Sequence, residues 1–213
     1  MSNFVILIPS HNEFLSLKKI LKKIYGKYPL LIMNDCSNDK TKNLKKDFKN
    51  LSIINNKKKL GYEKNLQKGF KILTKKKFEY ILTFDADGEH HINNLKKVEK
   101  FLRKKNKYDL IIGERSHLNR FSEKIISYLF YKKFKITDPL SGLKIYKTSI
   151  IKKFYKNISS DFFLVDLIYK ILLEKKKIKN FKIKSIKIKK RKSKVGNFFK
   201  SNYKILKCLK FIF

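Results

Sequence analysis

The sequence predicts an α/β fold in which helices cover both faces of a mostly parallel central sheet. Short apolar runs alternate with longer segments whose apolar residues recur at helical spacing, as repeated strand–helix units require. In addition, three polar groups directly follow apolar runs, at 9–13, 34–39 and 85–89. Because ligands bind beyond the carboxyl ends of parallel strands, this shared placement predicts a ligand site at one edge of the sheet.

The first half of the chain contains five apolar runs that are predicted as strands, at 4–8, 30–33, 52–54, 80–84 and 109–112. The first four are each followed by a segment of helical periodicity, at about 15–24, from Lys40, at 62–75 and at 92–103. The second half is less regular. It predicts helices at 122–131 and 162–173, a loop at 138–142, a strand at 143–146 and a half-solvated strand at 181–188.

The length of 213 residues, with only three prolines and seven glycines, predicts one folded domain without an internal linker. We expect this domain to span residues 1–196. Residues 197–213 mix Phe, Ile and Leu with lysine at roughly helical spacing, which predicts an amphipathic tail helix. That helix either docks on the sheet or lies on an anionic membrane surface, and the sequence favours neither.

The balance of 54 basic to 17 acidic residues gives a net charge of +37, far above that of an ordinary soluble enzyme. Such a charge is typical of proteins that bind nucleic acid or anionic membranes. However, the excess is almost all lysine and accompanies abundant Asn, Ile, Phe and Tyr, so A/T-rich codon usage explains it equally well. The lysines are spread over every segment, no nucleic-acid module is recognisable, and we expect no nucleic-acid partner. A basic nucleic-acid or anionic-surface binding protein is the alternative to an enzyme.

The cysteine content and the lengths of the apolar runs both bear on the cellular compartment of the protein. Cys36 and Cys208 are too few for a disulfide framework, which fits a reducing compartment. The apolar run at 4–8 is too short for a signal peptide, and no apolar stretch approaches the ~20 residues of a membrane-spanning helix. We therefore expect a cytoplasmic protein whose membrane contact, if it has any, is peripheral.

Two carboxylates one residue apart, Asp85 and Asp87, follow a predicted buried strand, and a glycine turns the chain directly after them. Both then approach one hard cation with Glu89 as a further oxygen ligand, and Mg²⁺ or Mn²⁺ prefers such ligands. The alternative is a solvated turn, because Asp and Gly are ordinary turn residues. His90 and His91 come next, but adjacent loop histidines are more often solvated, so the predicted metal set excludes them.

Asp35 ends the second predicted strand, where its carboxylate can accept hydrogen bonds from a nucleotide base or ribose. A helix start follows it, and Ser37, Asn38 or Asp39 is a suitable N-cap. The two roles are compatible, with Asp35 binding and Asp39 capping.

The ordered motifs of the chain resemble those of a known family. The segments VILIPSHNE, LIMNDCSNDKT, 61–69, FDADGEH, IIGER and DPLSGLKIY occur in the order seen in family 2 glycosyltransferases with the GT-A fold. Within that family, the chain most resembles the polyprenyl-phosphate (dolichyl-phosphate) mannose or glucose synthases. The resemblance covers about residues 4–196, and it is the order of the motifs rather than any one of them that is specific.

The resemblance implies an inverting hexosyltransferase that carries a sugar from a GDP- or UDP-sugar to an acceptor, in glycan or cell-envelope biosynthesis. The implied acceptor is a polyprenyl phosphate or another glycan acceptor, and the implied cofactor is Mg²⁺ or Mn²⁺. The metal set is Asp85, Asp87 and Glu89, and the catalytic set is Asp87, Asp138 and Arg115. The nucleotide-sugar-binding set is Pro9, Ser10, Asn12, Glu13, Asp35, Asp85, Ala86, Arg191 and Lys194.

The chain departs from the family pattern at four places. Asn34 stands where the family often has aspartate, His11 where tyrosine is common, and Glu89 where glutamine is usual. The late basic element is also compressed, at 191–194. These departures leave the base, the sugar and the acceptor open, and the oligomeric state is open as well.

The chemistry of such a transfer is electrostatic. Negative charge builds on a nucleoside diphosphate as it leaves, and a divalent cation together with Arg or Lys stabilises that charge. A phosphate acceptor needs no general base, whereas a hydroxyl acceptor needs a carboxylate within hydrogen-bond reach. The candidates for this base are Asp138 and Asp166. The alternative role of Asp138 is to stabilise a turn ahead of Pro139, and Asp166 is equally well interpreted as a structural carboxylate.

Overall fold

A computed structural model describes residues 3–104, 108–156, 158, 162–186, 202–203 and 205–212. The strands of these residues are β1 (Phe4–Ser10), β2 (Leu30–Asn34), β3 (Ile53–Asn55), β4 (Tyr80–Thr83), β5 (Leu110–Glu114), β6 (Lys144–Lys147) and β7 (Ile178–Lys182). They form one sheet in the order β3-β2-β1-β4-β6-β5-β7. All neighbours pair in parallel except β6, which is antiparallel to both β4 and β5. The mostly parallel α/β fold is therefore confirmed.

The helices are α1 (Phe14–Ile24), α2 (Tyr62–Leu73), α3 (Asn93–Arg103), α4 (Phe121–Phe134), α5 (Thr148–Phe154) and α6 (Phe163–Leu173). Two 3₁₀ segments, Lys40–Lys46 and Lys207–Phe211, complete the described elements. The helix predicted from Lys40 is thus a 3₁₀ helix. The short α5 was not predicted, because its apolar residues are too few to show a period.

Two apolar cores cover the two faces of the sheet, and β1 contributes to both because successive strand residues point to opposite faces. Val5 and Leu7 pack into the core formed with α2, α4, α5 and α6. Phe4, Ile6 and Ile8 pack into the core formed with α1 and α3. All seven residues of β1 are buried, and each large apolar side chain contributes roughly 1.5–3 kcal/mol by leaving water. Burial on both faces explains why β1 reads as a continuous apolar run.

The strand predicted at 181–188 was misplaced. The observed β7 begins at Ile178 and pairs in parallel with β5 from Leu110 to Glu114. Its ladder ends where β5 ends, and only an isolated bridge between Ser185 and His90 continues the pairing. The alternation in the sequence runs past the paired residues, and residues 187–188 lie outside the described part of the chain.

The described part of the predicted tail lies against α6. Cys208, Phe211 and Ile212 are buried, and the Phe211 ring centroid is 6.2 Å from that of Phe162 and 5.8 Å from that of Tyr169. Residues 197–201, with Phe198 and Phe199, lie outside the described residues. Among the helices that are described, none is long and apolar enough to cross a membrane.

The strand directions bring the predicted polar groups to one edge of the sheet. β1, β2, β4 and β5 run the same way, so residues 9–13, 34–39, 85–89 and 115 all lie at or just after strand ends at that edge. Because β6 is antiparallel, the loop 138–142 that precedes it reaches the same edge. These five segments form the candidate site.

Candidate active site

The acidic turn after β4 is stabilised by a hydrogen bond within the turn itself. The Glu89 amide donates a 2.9 Å hydrogen bond to Asp87 Oδ1, and Gly88 takes the left-handed φ of 83° that this turn needs. Ala86 is buried between the two aspartates. The turn therefore presents the Asp85 and Asp87 carboxylates at the edge of the sheet.

Asp85 is fixed by side chains from other segments. The Tyr62 hydroxyl donates to its Oδ1 at 2.8 Å, and His90 Nε2 lies 3.7 Å from its Oδ2. Burial by itself raises the pKa of Asp85, but the neighbouring His90, the Tyr62 hydroxyl and the charge of Lys144 outweigh it. The pKa of Asp85 consequently lies below its ordinary value, and the carboxyl is ionised at neutral pH.

Gly142 allows the loop before β6 to lie directly on Asp85. A Cβ at this position would be 1.7 Å from Asp85 Oδ2, far inside any real contact distance. The Thr83 hydroxyl donates to the Gly142 carbonyl at 2.8 Å and accepts from the Lys144 amide at 3.1 Å. The acidic turn and the loop 138–142 are therefore locked together.

Arg115 and Asp138 form a buried bidentate pair. Arg115 Nε donates to Asp138 Oδ2 at 2.8 Å, and Nη2 donates to Oδ1 at 3.0 Å. The side chains are only 6% and 2% exposed. Two parallel charge-assisted hydrogen bonds fix the plane of the guanidinium as well as its position.

Two further carboxylates surround the same guanidinium. Glu89 Oε1 lies 3.4 Å from Arg115 Nη1, and Glu123 Oε2 lies 3.5 Å from Nη2. Burial alone lowers the pKa of Arg115, but Asp138 and then the charges of Glu123 and Glu89 raise it above its ordinary value. Arg120 also pairs with Glu123, at 3.2 Å. Negative charge thus remains in excess around Arg115, in a chain that is strongly basic overall.

Lys144 is a fully buried cation beneath this cluster. Its Nζ donates to the Ser141 carbonyl in the loop 138–142. Burial lowers the pKa of Lys144 to about 8, although the charges of Asp138, Glu63 and Asp85 act in the opposite direction. The ammonium is therefore held where it favours the ionised form of the site's carboxylates.

Asp35 organises the edge of the site from β2. Its Oδ1 accepts from the Leu60 amide at 2.7 Å and from Asn56 Nδ2 at 3.1 Å, while its Oδ2 accepts from the Gly61 amide at 2.8 Å. Gly61, at φ 86°, immediately precedes α2. Within the protein, Asp35 thus orders the turn that places Tyr62 on Asp85, a role that sequence reasoning did not predict.

The turns after β1 and β2 are tied to each other. Asn12, at φ 53°, accepts from the Asn38 amide at 2.8 Å, and its own amide donates to Ser37 Oγ at 2.9 Å. Asp39 caps the 3₁₀ segment by accepting from the Thr41 amide, and it also accepts from the Phe14 amide at the start of α1, each at 2.9 Å. The predicted capping role of Asp39 is confirmed.

The other predicted donor-binding residues of β1 lie at the same edge. Pro9 and Ser10 are buried at the carboxyl end of the strand, and Ser10 Oγ has no hydrogen-bond partner within the described residues. Glu13 accepts a 2.9 Å hydrogen bond from Ser16 Oγ in the first turn of α1. A buried hydroxyl that the protein does not satisfy is suited to a polar ligand.

The site offers carboxylate oxygens to a cation. In the described ranges, no three His, Cys, Asp or Glu side chains are gathered closely enough to hold a metal by themselves. Mg²⁺ sites commonly use one or two carboxylates and complete the shell with water and substrate phosphates. Asp85 and Asp87 fit that arrangement, whereas Glu89 is ion-paired with Arg115.

The structure brings together most of the predicted residues and adds several. Asp166 is buried in the first turn of α6, and Arg191 and Lys194 lie outside the described residues. Reasoning from sequence missed Tyr62 and Lys144. The buried polar residues Asn56 and Glu123 were missed as well, together with Asn65, whose Oδ1 accepts from Asn56 Nδ2 at 2.8 Å. A polar side chain within an apolar run, as at Lys144 in β6, is the one signal that was available for any of them.

Comparison with sequence families and curated proteins gives consistent matches. Residues 5–160 match glycosyl transferase family 2. The uncharacterized protein MJ1222 of Methanocaldococcus jannaschii is 28% identical over 189 residues, which cover 82% of this chain and 76% of the relative. A second uncharacterized protein of that organism, MJ0544, is 28% identical over 167 residues, covering 70% and 73%.

Solved structures share the fold. Glucosyl-3-phosphoglycerate synthase from Mycobacterium tuberculosis, in complex with Mn²⁺, UDP-glucose and glycerol 3-phosphate, superposes with a TM-score of 0.73 at 10% identity, covering 98% of this chain and 79% of that one. S. aureus TarS 1–349 gives a TM-score of 0.59 at 17% identity, covering 84% and 57%. At these identities the likeness shows the fold alone, and the predicted GT-A architecture is confirmed.

Proposed function

Because the chain belongs to glycosyl transferase family 2, we propose that it transfers a hexose from a GDP- or UDP-sugar to a polyprenyl phosphate. The reaction inverts the anomeric carbon and serves the synthesis of a glycan or of the cell envelope. The observation that carries this proposal is the joining of Asp85, Gly142 and the Arg115–Asp138 pair at the carboxyl edge of the sheet.

The donor lies along the ends of β1, β2 and β4 in this proposal. Pro9, Ser10, Asn12 and Glu13 contact the nucleotide from β1, Asp35 from β2, and Asp85 and Ala86 from β4. Ser10 Oγ supports this, because it is buried without a hydrogen-bond partner within the described residues. Arg191 and Lys194 close over the phosphates, as the family resemblance implies.

A divalent cation, Mg²⁺ or Mn²⁺, is the proposed cofactor, and Asp85 and Asp87 are the residues that would hold it. When bound, such an ion neutralises charge on the leaving diphosphate. The carboxylates around Arg115 outnumber the cations that pair with them, which supports binding of a further positive ion at this site. The Mn²⁺ present with UDP-glucose in the Mycobacterium tuberculosis synthase supports the same cofactor here.

Arg115 is the proposed electrostatic catalyst. Its guanidinium stays protonated and is held by Asp138 in one plane, so it needs little reorganisation as charge develops on the diphosphate. Asp138 acts through Arg115 and is in this view a positioning residue rather than a base. Both of its oxygens accept from Arg115, which leaves it poorly suited to take a proton from a hydroxyl.

This state of Asp138 favours a phosphate acceptor. A polyprenyl phosphate is already an anionic nucleophile and needs no general base, so a site whose nearest carboxylate is occupied by arginine suits it. We propose that the chain meets this acceptor at the cytoplasmic face of a membrane through peripheral contact.

The proposal is tested by a transfer assay with radiolabelled GDP-mannose, GDP-glucose or UDP-glucose and a short-chain polyprenyl phosphate. We expect a lipid-linked sugar that requires Mn²⁺ or Mg²⁺ and that disappears in Asp87→Ala. The exposed variant Asp47→Ala is the matched control and should retain activity, because Asp47 pairs with Lys18 at the surface. Transfer that is equal in Asp87→Ala and wild type would refute the proposed site.

A further inference from the structure

The outward side of α4 exposes three aromatic residues. Phe121 is 71% exposed, Tyr128 59% and Tyr131 47%. They are spaced by seven and three residues, so they lie on one side of the helix. We name these three residues the α4 aromatic face. Large aromatic side chains normally leave water, and their concentration on one helix indicates a surface that meets something else.

Every charged residue on the exposed side of α4 is a lysine. Lys124 and Lys132 are exposed between and beside the aromatic rings, and Lys135, which directly follows the helix, is exposed as well. Lys132 Nζ is 5.5 Å from the Tyr128 ring centroid, and Lys135 Nζ is 5.2 Å from that of Tyr131. The acidic residue of this helix, Glu123, is buried on the opposite side. The face is thus aromatic and positively charged.

The described part of the tail has a further exposed aromatic residue near the start of α4. The Ser122 hydroxyl donates to Asn202 Oδ1, which places Asn202 beside the first turn of α4. The next residue, Tyr203, is 63% exposed, and Lys207 Nζ lies 4.8 Å from its ring centroid. A fourth exposed aromatic ring with its own lysine therefore lies one residue from a contact with the first turn of α4.

The inward side of the same helix turn touches the candidate site. Glu123 Oε2 lies 3.5 Å from Arg115 Nη2, while Phe121 points outward two residues earlier. A helix with its side chains is about 10–12 Å across. A surface that contacts the α4 aromatic face is consequently held about one helix diameter from the guanidinium.

We propose that the α4 aromatic face docks on an anionic lipid bilayer and sets the active-site edge at the headgroup level. Tyrosine and phenylalanine rings favour the boundary between headgroups and acyl chains, and each lysine near an anionic surface adds about 1 kcal/mol of attraction. The face is a convex helix side rather than the groove that single-stranded nucleic acid follows. The inference rests on the proposed function, since it brings the site to the phosphate of a membrane-held acceptor.

The test is flotation of the full chain with vesicles of phosphatidylcholine, alone or mixed with phosphatidylglycerol. Wild type should float with the mixed vesicles and remain unbound with phosphatidylcholine alone. The variant Phe121→Ser/Tyr128→Ser/Tyr131→Ser should lose at least about tenfold in partitioning. The control Leu15→Ser/Leu173→Ser removes residues of comparable exposure, 73% and 63%, from other helices and should float as wild type does.

A second variant keeps the test decisive if the first variant fails to fold. Lys124→Glu/Lys132→Glu/Lys135→Glu changes only exposed side chains and should abolish flotation with the mixed vesicles. Equal flotation of wild type and both α4 variants would overturn the inference. Reduced binding of a single-stranded oligonucleotide with unchanged flotation would also overturn it and assign the face to nucleic acid. Flotation needs no sugar donor, so a failure of membrane docking can be distinguished from a failure of sugar transfer. Nucleotide binding should be unchanged in both α4 variants.

Discussion

At the scale of single residues, Gly142 decides how close two segments of the site can come. Its missing Cβ is the space that Asp85 Oδ2 occupies, and the Thr83 hydroxyl holds the Gly142 carbonyl from below. No other residue type fits there without moving either the acidic turn or the loop 138–142. The position of Asp85 therefore depends on a glycine that is distant in sequence.

We predict that Gly142→Ala displaces Asp85 and weakens nucleotide binding in the presence of Mn²⁺ by at least about tenfold, or 1.4 kcal/mol. Gly26→Ala is the comparison, because Gly26 has a φ of 75° and open space around it. That change should lower the free energy of unfolding by about 1–3 kcal/mol through strain and leave nucleotide affinity as it is. Calorimetry and denaturant unfolding measure the two quantities. Wild-type affinity in Gly142→Ala would show that Asp85 does not need its observed position.

The Arg115–Asp138 pair predicts a large effect of a small change. Asp138→Asn keeps the shape but leaves Arg115 without its bidentate partner, so we expect a loss of about 3 kcal/mol in unfolding free energy and a fall in kcat. Asp47→Asn disrupts the surface pair with Lys18, at 2.7 Å, and should change stability by less than about 1 kcal/mol. Denaturant unfolding and steady-state kinetics make the measurement. Equal effects of the two variants would contradict a positioning role for Asp138.

Lys144 predicts a pH dependence of stability with a definite sign. Burial lowers its pKa from 10.5 to about 8 in the folded chain, so between those pH values the unfolded chain binds the extra proton. The free energy of unfolding then rises with pH over this window, by up to about 3 kcal/mol. We expect this rise in wild type but not in Lys144→Met, because methionine takes up no proton when the chain unfolds. Parallel stability curves of the two proteins from pH 8 to pH 10.5 would contradict the lowered pKa of buried Lys144.

At the scale of elements, one side chain starts two helical segments. Asp39 accepts from the amide of Phe14, the first residue of α1, and from the amide of Thr41, in the first turn of the 3₁₀ segment. Asp39→Ala should lower the free energy of unfolding by about 1–2 kcal/mol, since the N-cap of the 3₁₀ segment and the hydrogen bond to the first amide of α1 are both lost. Its neighbour Asn38 is exposed, and Asn38→Ala should have little effect. Chemical denaturation compares them, and equal losses would show that Asp39 is not a cap.

Local sequence patterns predicted the strands that are buried on both faces. They did not predict the direction or the bounds of strands that depend on pairing with distant strands. β1, β2 and β4 are interior strands of the sheet, and their continuous apolar character marked them correctly. The antiparallel direction of β6 has no local signal, because it depends on the chain returning between β4 and β5. The start of β7 was missed because it depends on the register with β5 rather than on its own alternation.

The same distinction holds for the candidate site. Asp35, Asp85 and Asp87 were predicted to meet at one edge, since each follows an apolar run that ends there. The contact of Tyr62 with Asp85 was not predictable, because it requires Asp35 to order the Gly61 turn across the sheet. Long-range positioning residues carry no mark in the local sequence.

For the whole molecule, the distribution of charge matters more than its sum. The chain has only 17 acidic residues against 54 basic ones. Five of those acidic residues gather around Arg115 and the acidic turn after β4: Asp85, Asp87, Glu89, Glu123 and Asp138. An overall positive field attracts anionic ligands, while this acidic edge is suited to a cation that accompanies them. The two features together fit a metal–nucleotide ligand better than a bare nucleic acid.

The most direct measurement of the central claim is calorimetric titration with GDP, UDP and their hexose conjugates, with and without Mn²⁺, on wild type and Asp87→Ala. The account predicts tight binding of one nucleotide class that requires Mn²⁺, tolerates added salt, and is lost in Asp87→Ala. Binding of no nucleotide under any condition, or equal binding by Asp87→Ala, would contradict it. Steep loss of DNA binding with salt by the same preparation would instead favour a nucleic-acid-binding protein.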